Sequence, residues 1–505
     1  MRVTIQVEST VYRVAGAAEN VDGIGCFEER LLNSISLVRT FSRAGYTPIT
    51  LPINIRNNDW FIPRELDLWG AVVTVEAIGE TWSGQITGYE YDMAGVLYIT
   101  ATEKTAPELS EMVPDEVVHL FTVSESTHQS AMDVTLPLVA GGTVAEPILV
   151  KGILYDKING IYLFSVGENR QVVKVYSGTE EMTEGFVAYT GTADQALHPG
   201  FCLVQITDPA KRKNDDGSYV SISADIVGLK LGNHTLEECR NGARFLLWFL
   251  KTAKSGTNAW GLGIGESDID LDSFADSIAK VDAAGLKMDG IFYFRQQAQS
   301  WIDQICNAIR GRYRINKNGK RTLFVDAPAS SVKTYSPALS NIKLLQYGKG
   351  AYVGRVYNKG RLEHSYNPIT GLFMQSDTYE NAVSIAKIGE QKFTGQSYLL
   401  RDAASAKAIL DYTCKKSETA AWKVFFETLE LPDDAADGQV ITVDHPAHAI
   451  TGLFQIVRIQ ITDFAHTIEA ERYSVDDFVS GTPGATIAWT KDVPISSAVN
   501  PGQAS

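Results

Sequence analysis

The sequence predicts a mainly β protein with a helical α+β insert. Short alternating apolar runs bounded by turn residues fill both ends of the chain. One block near the middle, from Thr235 to Asp326, switches to the helical period. At 505 residues the chain is too long for one core, which points to about three or four domains.

The elements follow in order. Residues 1–105 carry "VTIQVEST", "AVVTVEAIG", "WSGQITGYEYD" and "VLYITATE", the texture of a barrel or sandwich. Residues 106–234 continue it as a β-rich accessory domain, with "EPILVKGILYD", "GIYLFSVG", "QVVKVYSG" and "FCLVQITD". The loop "DPAKRKNDDGS" places Lys211, Arg212 and Lys213 just ahead of Asp215 and Asp216, and reads as a solvated hairpin tip. Residues 235–326 form the helical α+β domain. Its first helix, Thr235–Lys254, opens with a Thr235/Glu238 capping box and closes at Gly256. Leu236, Cys239, Ala243, Leu246, Leu247 and Leu250 make its apolar set. A second helix starts at Asp272 as N-cap and buries Phe274, Ile278 and Val281. A third, from Gln296 to Arg310, sets Ala298, Trp301, Ile302, Ile305 and Ile309 on one stripe. A hairpin turns at Asn318-Gly319. Strands return over 327–480, with one helix near Arg401–Lys416, and residues 481–505 read as a linker or extended tail.

Bulk chemistry narrows the function. A formal charge of −15 argues against wrapping nucleic acid, since phosphate contact needs a basic footprint. It suits solubility first, and also a surface that DNA slides past. The five cysteines lie far apart with no CxxC, which excludes a cysteine zinc cluster and predicts reduced, buried thiols. No run of eighteen apolar residues predicts a membrane-spanning helix, and "MRVTIQVEST" lacks the apolar core of a signal peptide.

No stretch carries a catalytic or ligand motif. "NAWGLGIGESDIDLDSF", Asn258–Phe274, combines three glycines, an exposed-looking Trp260 and four acids. It follows a helix, is spaced GxGxG and lacks the Lys-Ser/Thr of a phosphate loop. Read as a calcium loop from Asp268, with Asp270 and Asp272, it places Ser273 and Ala279 where Gly and Glu are required. A structural turn is the better reading. His445 and His448 flank Pro446 in what reads as a surface loop rather than a metal pair. In "RGRYRINKNGKR", Arg310, Arg312, Arg314, Lys317, Lys320 and Arg321 suit a solvent-facing hairpin or salt bridges to acidic neighbours better than nucleic-acid contact. There is no HExxH, GxSxG or Walker A sequence. The expectation is no enzyme activity, no catalytic or metal-binding residue and no cofactor.

The order of segments resembles a known family. "NGARFLLWFLKTAKSG", then Gly261–Gly263 with Ile269-Asp270, then "SWIDQICNAIRGRYRINKNGKRTLFVDAP" ending its hairpin in Asp326, resemble the tail-tip or baseplate hub proteins of tailed bacteriophages, lambdoid tip attachment proteins among them. "LPLVAGGTVAEPILV", with Leu136–Gly142, resembles the Pro-Leu-Val-x-Gly segment of related tail proteins. "LLRDAASAKAILDYTCKK", "ETLELPDDAADGQVITVDHP" and "GLFQIVRIQITD" resemble the family's later helix and closing barrel strands. The likeness spans about 130–478. The family's Asn-Pro-Ala is replaced by "RNGARF", and the lambdoid fibre extension is missing, which implies a separate fibre protein.

The resemblance implies two tube-protein-like β-barrels, from 1–105 and 327–480, plus accessory domains. It implies a homotrimer that closes the tail tube at the virion's tail tip after assembly in the host cytoplasm. Its partners would be the tail tube or a distal tail protein and a central spike or fibre, with DNA only in transit at ejection. The alternatives are a tail-associated cell-wall hydrolase and a carbohydrate-binding receptor module, the latter suggested by 8 tryptophans and 21 tyrosines.

Overall fold

The computed structural model describes residues 2–7, 10–15, 18–21, 25–32, 37–40, 50–57, 59, 61–63, 66–77, 80–92, 94–103, 107–114, 127–128, 135–252, 260–316, 319–349, 356–432, 438–461 and 465–480. The expected first-helix end at Lys254 and Gly256, Asn258, Lys317, Asn318 of the hairpin turn and the 481–505 tail lie outside these residues.

The N-terminal strands form one curled eight-stranded sheet, a half-barrel. Arg2–Val7 lies between Thr10–Ala15 and Val72–Ala77, antiparallel to both. Val72–Ala77, Glu80–Tyr91 and Val96–Glu103 make a meander whose last strand returns to pair with Thr50–Arg56. Alternation explains which face is buried: Val3, Ile5, Ile53, Ile55, Val73, Val75 and Leu97 are each 0% exposed. The far sides of the sheet touch through the chain after Gly25–Glu29. That strand runs parallel to Thr10–Ala15, then Leu31 bridges to Ile55 and the Leu32 N–H donates to the Asn54 carbonyl at 2.9 Å.

The C-terminal strands repeat the theme. Val440–His445, Ile450–Ile461 and His466–Arg472 form a meander, and its last strand returns to pair with Trp422–Thr428. Lys343–Lys349 extends that side, and Thr334–Tyr335 lies parallel to Val440–His445. A strand from the other half, Leu37–Thr40, pairs with Arg458–Ile461. The two halves share one apolar core in which Ile53, Val75 and Ile99 join Phe426, Val443 and Ile468.

Between them in sequence lies a sandwich of two four-stranded sheets, with Val150, Phe164, Val204 and Ile226 in its core. The Lys211–Lys213 loop runs from one of these sheets to the other, rather than capping a single hairpin. Only its end is a local tip, closed by the Lys213–Tyr219 bridge. Arg212 turns inward, its Nε donating to the Ile206 carbonyl at 3.0 Å.

The helices pack on a third core around Trp260, Phe292 and Trp301. The predicted first helix is two, Leu236–Cys239 and Gly242–Lys251. The Thr235/Glu238 capping box forms as expected, but Asn241 then caps a second start by accepting from the Ala243 and Arg244 N–H groups. The next helix, Leu271–Ala283, is capped by Asp270 and not Asp272, and buries Phe274 and Val281 while Ile278 stays half-buried. Ala298–Ala308 buries its expected stripe. The hairpin Gly311–Ile315 with Arg321–Val325 forms. Residues 359–396 add a three-stranded sheet and a short helix, Ala382–Ile388, that the periodicity did not reveal. Leu362 and Tyr379 from that sheet, with Ala406, Leu410 and Cys414 of helix Ala403–Thr419, join the helical core rather than the C-terminal sheet's.

Candidate functional site

Superposing registers reveals a duplicated unit of four strands. In the N-terminal half Val72 faces Gln85, Ile86 faces Ala101, and Ile99 faces both Tyr89 and Ile53. In the C-terminal half Val440 faces Gln455, Ile456 faces Ala470, and Ile468 faces both Ile459 and Phe426. The central strands Glu80–Tyr91 and Ile450–Ile461 are each 12 residues long. Each carries a register shift at the same step, between Ile86 and Gly88 and between Ile456 and Arg458.

The entry turns match as well. Gly70 has φ +76° and Gly438 has φ +85°, both reserved for residues without a Cβ. The Gly70 N–H donates to the Ile86 carbonyl at 2.9 Å, and the Gly438 N–H to the Ile456 carbonyl at 3.0 Å. Ile86 and Ile456 answer through N–H bonds to Ala71 and Gln439, both at 2.9 Å. "GAVVTVE", Gly70–Glu76, and "GQVITVD", Gly438–Asp444, are the sequence trace of this repeat. Sequence reading by periodicity treated both as ordinary strands. A self-comparison of the chain is the signal that would have paired them.

Inside the two units a large aromatic and a glycine have exchanged places. Trp82 sits two residues from Gly84, and a Cβ on Gly84 would stand 2.3 Å from the Trp82 ring. The equivalent positions hold Gly452 and Phe454, so the large residue has moved two places along the strand.

The C-terminal unit is clamped to the helical domain through Asp326. Arg312 and Tyr412 bind its Oδ2, and Gln455 Nε2 donates to Oδ1 at 2.8 Å. Lys416 Nζ donates to Gln455 Oε1 at 2.9 Å. Burial pushes the Asp326 pKa up, but the Arg312 and Lys416 charges and the Tyr412 and Gln455 hydrogen bonds outweigh it and hold the carboxyl at about 2. Two further buried pairs fasten the middle of the chain. Arg240 grips Asp289 at 2.8 and 2.5 Å, and Gly142 N–H adds a bond to Asp289 Oδ1 at 2.8 Å. Arg321 meets Glu108 at 2.7 Å.

Other residues singled out by sequence take structural places. Arg310 is buried, its guanidinium 5.0 Å over the Tyr412 ring. Arg312 and Arg321 pair with Asp326 and Glu108, the salt-bridge alternative of the sequence reading, while Lys320 is exposed as the solvent-facing alternative has it. Trp260 is fully buried, contrary to its exposed look, and donates to the Leu136 carbonyl at 3.1 Å. The following glycines make a turn: a Cβ on Gly261 would lie 1.8 Å from the Thr252 carbonyl oxygen. Asp270 caps its helix and accepts from Asn316 at 3.0 Å, while Asp268 and Asp272 face solvent. His445 and His448 rings lie 4.6 Å apart; partial burial, then the His448 charge, lowers the His445 pKa. Among the described residues no group of three or more His, Cys, Asp or Glu side chains could hold a metal ion. The five cysteines are unpaired; four are buried and Cys26 is exposed, contrary to the expectation for it.

Two places invite a chemical reading. His364 lies 3.1 Å from both Asp377 Oδ2 and Ser365 Oγ, and Ser365 has φ +60°. Both His364 and Ser365 are buried, and the serine oxygen is within 3.2 Å of Gln375 and 3.4 Å of the Arg401 carbonyl. This is a packed polar turn. A cavity of about 320 Å³ in the sandwich is lined by Lys151, Tyr162, Tyr219, Ser221 and Tyr293 among others. Tyr219 there meets His128 edge-on and carries Lys213 at 5.3 Å over its ring.

No family model matches the chain, and no curated protein matches it. Solved structures do. The 43 kDa tail protein of prophage MuSo2 from Shewanella oneidensis is 8% identical, with TM-score 0.44 over 95% of this chain and 100% of that one. A tail protein from Neisseria meningitidis MC58 is 10% identical, with TM-score 0.41 over 94% and 97% of the two chains. Prophage tail protein gp18 from Listeria monocytogenes EGD-e is 8% identical, with TM-score 0.39 over 94% and 95%. The structural neighbours of this chain are tail proteins.

Proposed function

We propose that this chain is a structural tail protein of a phage-type virion, a hub subunit of which three copies close the tail tube. The duplicated four-strand unit carries the reading. A six-fold tube offers six equal contacts, and a three-fold ring meets all of them only if each subunit supplies two similar surfaces. Two units of equal register, bulge position and entry turn, packed on one core, are what that arrangement requires. The ring would join the tube or a distal tail protein to a spike or fibre and open for DNA. A net charge of −15 fits a surface that DNA passes without sticking. The chain has no enzymatic role in this reading and needs no cofactor.

Class averages of the purified protein, with and without tube protein, test it. Three-fold rings with near six-fold density at one face are expected. A six-copy ring, or no ring even on tube ends, overturns the reading. A peptidoglycan zymogram and a glycan array test the hydrolase and carbohydrate-binding alternatives, and both are expected blank.

A further inference from the structure

The two repeated units differ at one edge. On the C-terminal unit, the outer edge of Arg458–Ile461 is covered by Leu37–Thr40, a strand that leaves the N-terminal half and pairs there over four residues. The register-equivalent stretch of the N-terminal unit begins at Gly88. Gly88, Tyr89 and Glu90 pair on one side with Thr100, Ile99 and Tyr98. Among the described residues no strand pairs with Gly88–Glu90 on the other side, because Val72–Ala77 stops opposite Gln85. Tyr89 is accordingly only half-buried, where its counterpart Ile459 is 0% exposed. An open strand edge offers unpaired backbone N–H and C=O groups to another chain.

A second observation marks the same place. Trp69 is 68% exposed, the largest side chain on this surface. Asp67 Oδ1 accepts from the Trp69 backbone N–H at 2.9 Å and from the Tyr89 hydroxyl at 3.2 Å, which ties the Trp69 backbone to a residue of the open edge. An exposed tryptophan held next to unpaired backbone is the composition of an interface anchor.

We propose that the Gly88–Glu90 edge, with Trp69 beside it, seats an extended segment from the 334–472 half of a second copy of this chain. The repeat names the occupant. Within one chain the first unit lends a strand to the second. In a closed ring the second unit stands in the same relation to the first unit of the next copy, and the vacant edge is where its strand would go. This rests on the ring reading for the choice of a second copy.

The test uses the full chain with Glu90→p-benzoylphenylalanine, mixed as isotopically light and heavy protein and irradiated at high concentration. Cross-links between copies that map to residues 334–472 are expected. Adding Trp69→Glu should cut their yield about tenfold, the scale of losing an aromatic anchor, whereas Ile158→Glu, at a 60% exposed site on the sandwich, should leave it unchanged. No inter-copy cross-link, cross-links confined to residues 1–103, or equal yield in Trp69→Glu each overturns the proposal. Circular dichroism of the variants keeps misfolding from passing as lost contact. The two readings fail separately. A three-fold ring without these cross-links sinks the edge assignment alone, and these cross-links in a ring of other symmetry sink the hub reading alone.

Discussion

Gln85 and Gln455 occupy the same place in the two repeated units, one facing Val72 and Thr102, the other facing Val440 and Glu471. Gln85 is exposed, and Gln455 is 3% exposed with Asp326, Lys416 and the Gly438 carbonyl around it. Identical residues at identical registers thus have opposite environments. The inward face of each unit was kept by packing, because moving one strand by one residue would turn its apolar set to water. The outward faces were free to diverge. The C-terminal unit became the seat of the helical domain, and the N-terminal unit kept a polar face, where Thr87 and Thr102 hydroxyls meet at 2.9 Å.

Removing the clamp should break this comparison most severely. Asp326→Ala leaves the buried Lys416 and the half-buried Arg312 without their carboxylate, and a loss of about 3–5 kcal/mol is expected in chemical denaturation. The same group sets a pH limit. Its pKa is depressed in the fold, so its contribution is present above the ordinary carboxylate range near 3.8 and is lost as pH falls toward about 2. A wild-type acid transition that persists unchanged in Asp326→Asn would show that other carboxylates govern it.

The next effect addresses the inward faces. Ile99→Ala and Ile468→Ala remove equivalent side chains, 2% and 0% exposed, and each should cost about 2–5 kcal/mol. Similar losses sharpen the equivalence. A loss at one site only would show that the units share topology but not load.

Outward faces should separate more clearly. Gln455→Ala strips a bond from buried Asp326 and from Lys416, and about 1–3 kcal/mol should go. Gln85→Ala, on the exposed face, should stay within about 0.5 kcal/mol of wild type. Equal effects would contradict the burial difference on which the comparison stands.

Among the sites where a loss is expected in both units, the entry turns should give the smallest. Gly70→Ala meets no atom within 4 Å, so its cost is purely the positive φ, about 1 kcal/mol or slightly more. Gly438→Ala, at φ +85°, should cost a similar amount. Thermal melts of the two variants, run together, measure whether the turns are as alike in energy as in geometry.

Much of this was determined by sequence alone. Period-two alternation identified the strands at both ends, since a strand with one buried face shows its pattern locally. The Thr235/Glu238 box and the Ala298–Ile309 stripe did the same for helices, although Asn241, a strong cap in mid-run, split the first of them. Glycine spacing and carboxylate positions kept Gly261–Asp272 from being read as a ligand loop.

Tertiary structure decided what depends on contacts far apart in sequence. Glu108 meeting Arg321, or Gly142 and Arg240 meeting Asp289, follows no local rule, and so the basic run reads equally as a solvent-facing hairpin or as salt bridges to acidic neighbours, without naming those neighbours. The Leu37–Thr40 strand gave no sign that its partner lay in the other half of the chain. The repeat stands between these cases: seven residues, Gly70–Glu76 and Gly438–Asp444, record it in sequence, while the matching bulge, return pairing and inward volume exist only once the strands are side by side. The physical reason is that alternation fixes which face of a strand is buried, whereas its neighbour is chosen by shape and register across the whole core.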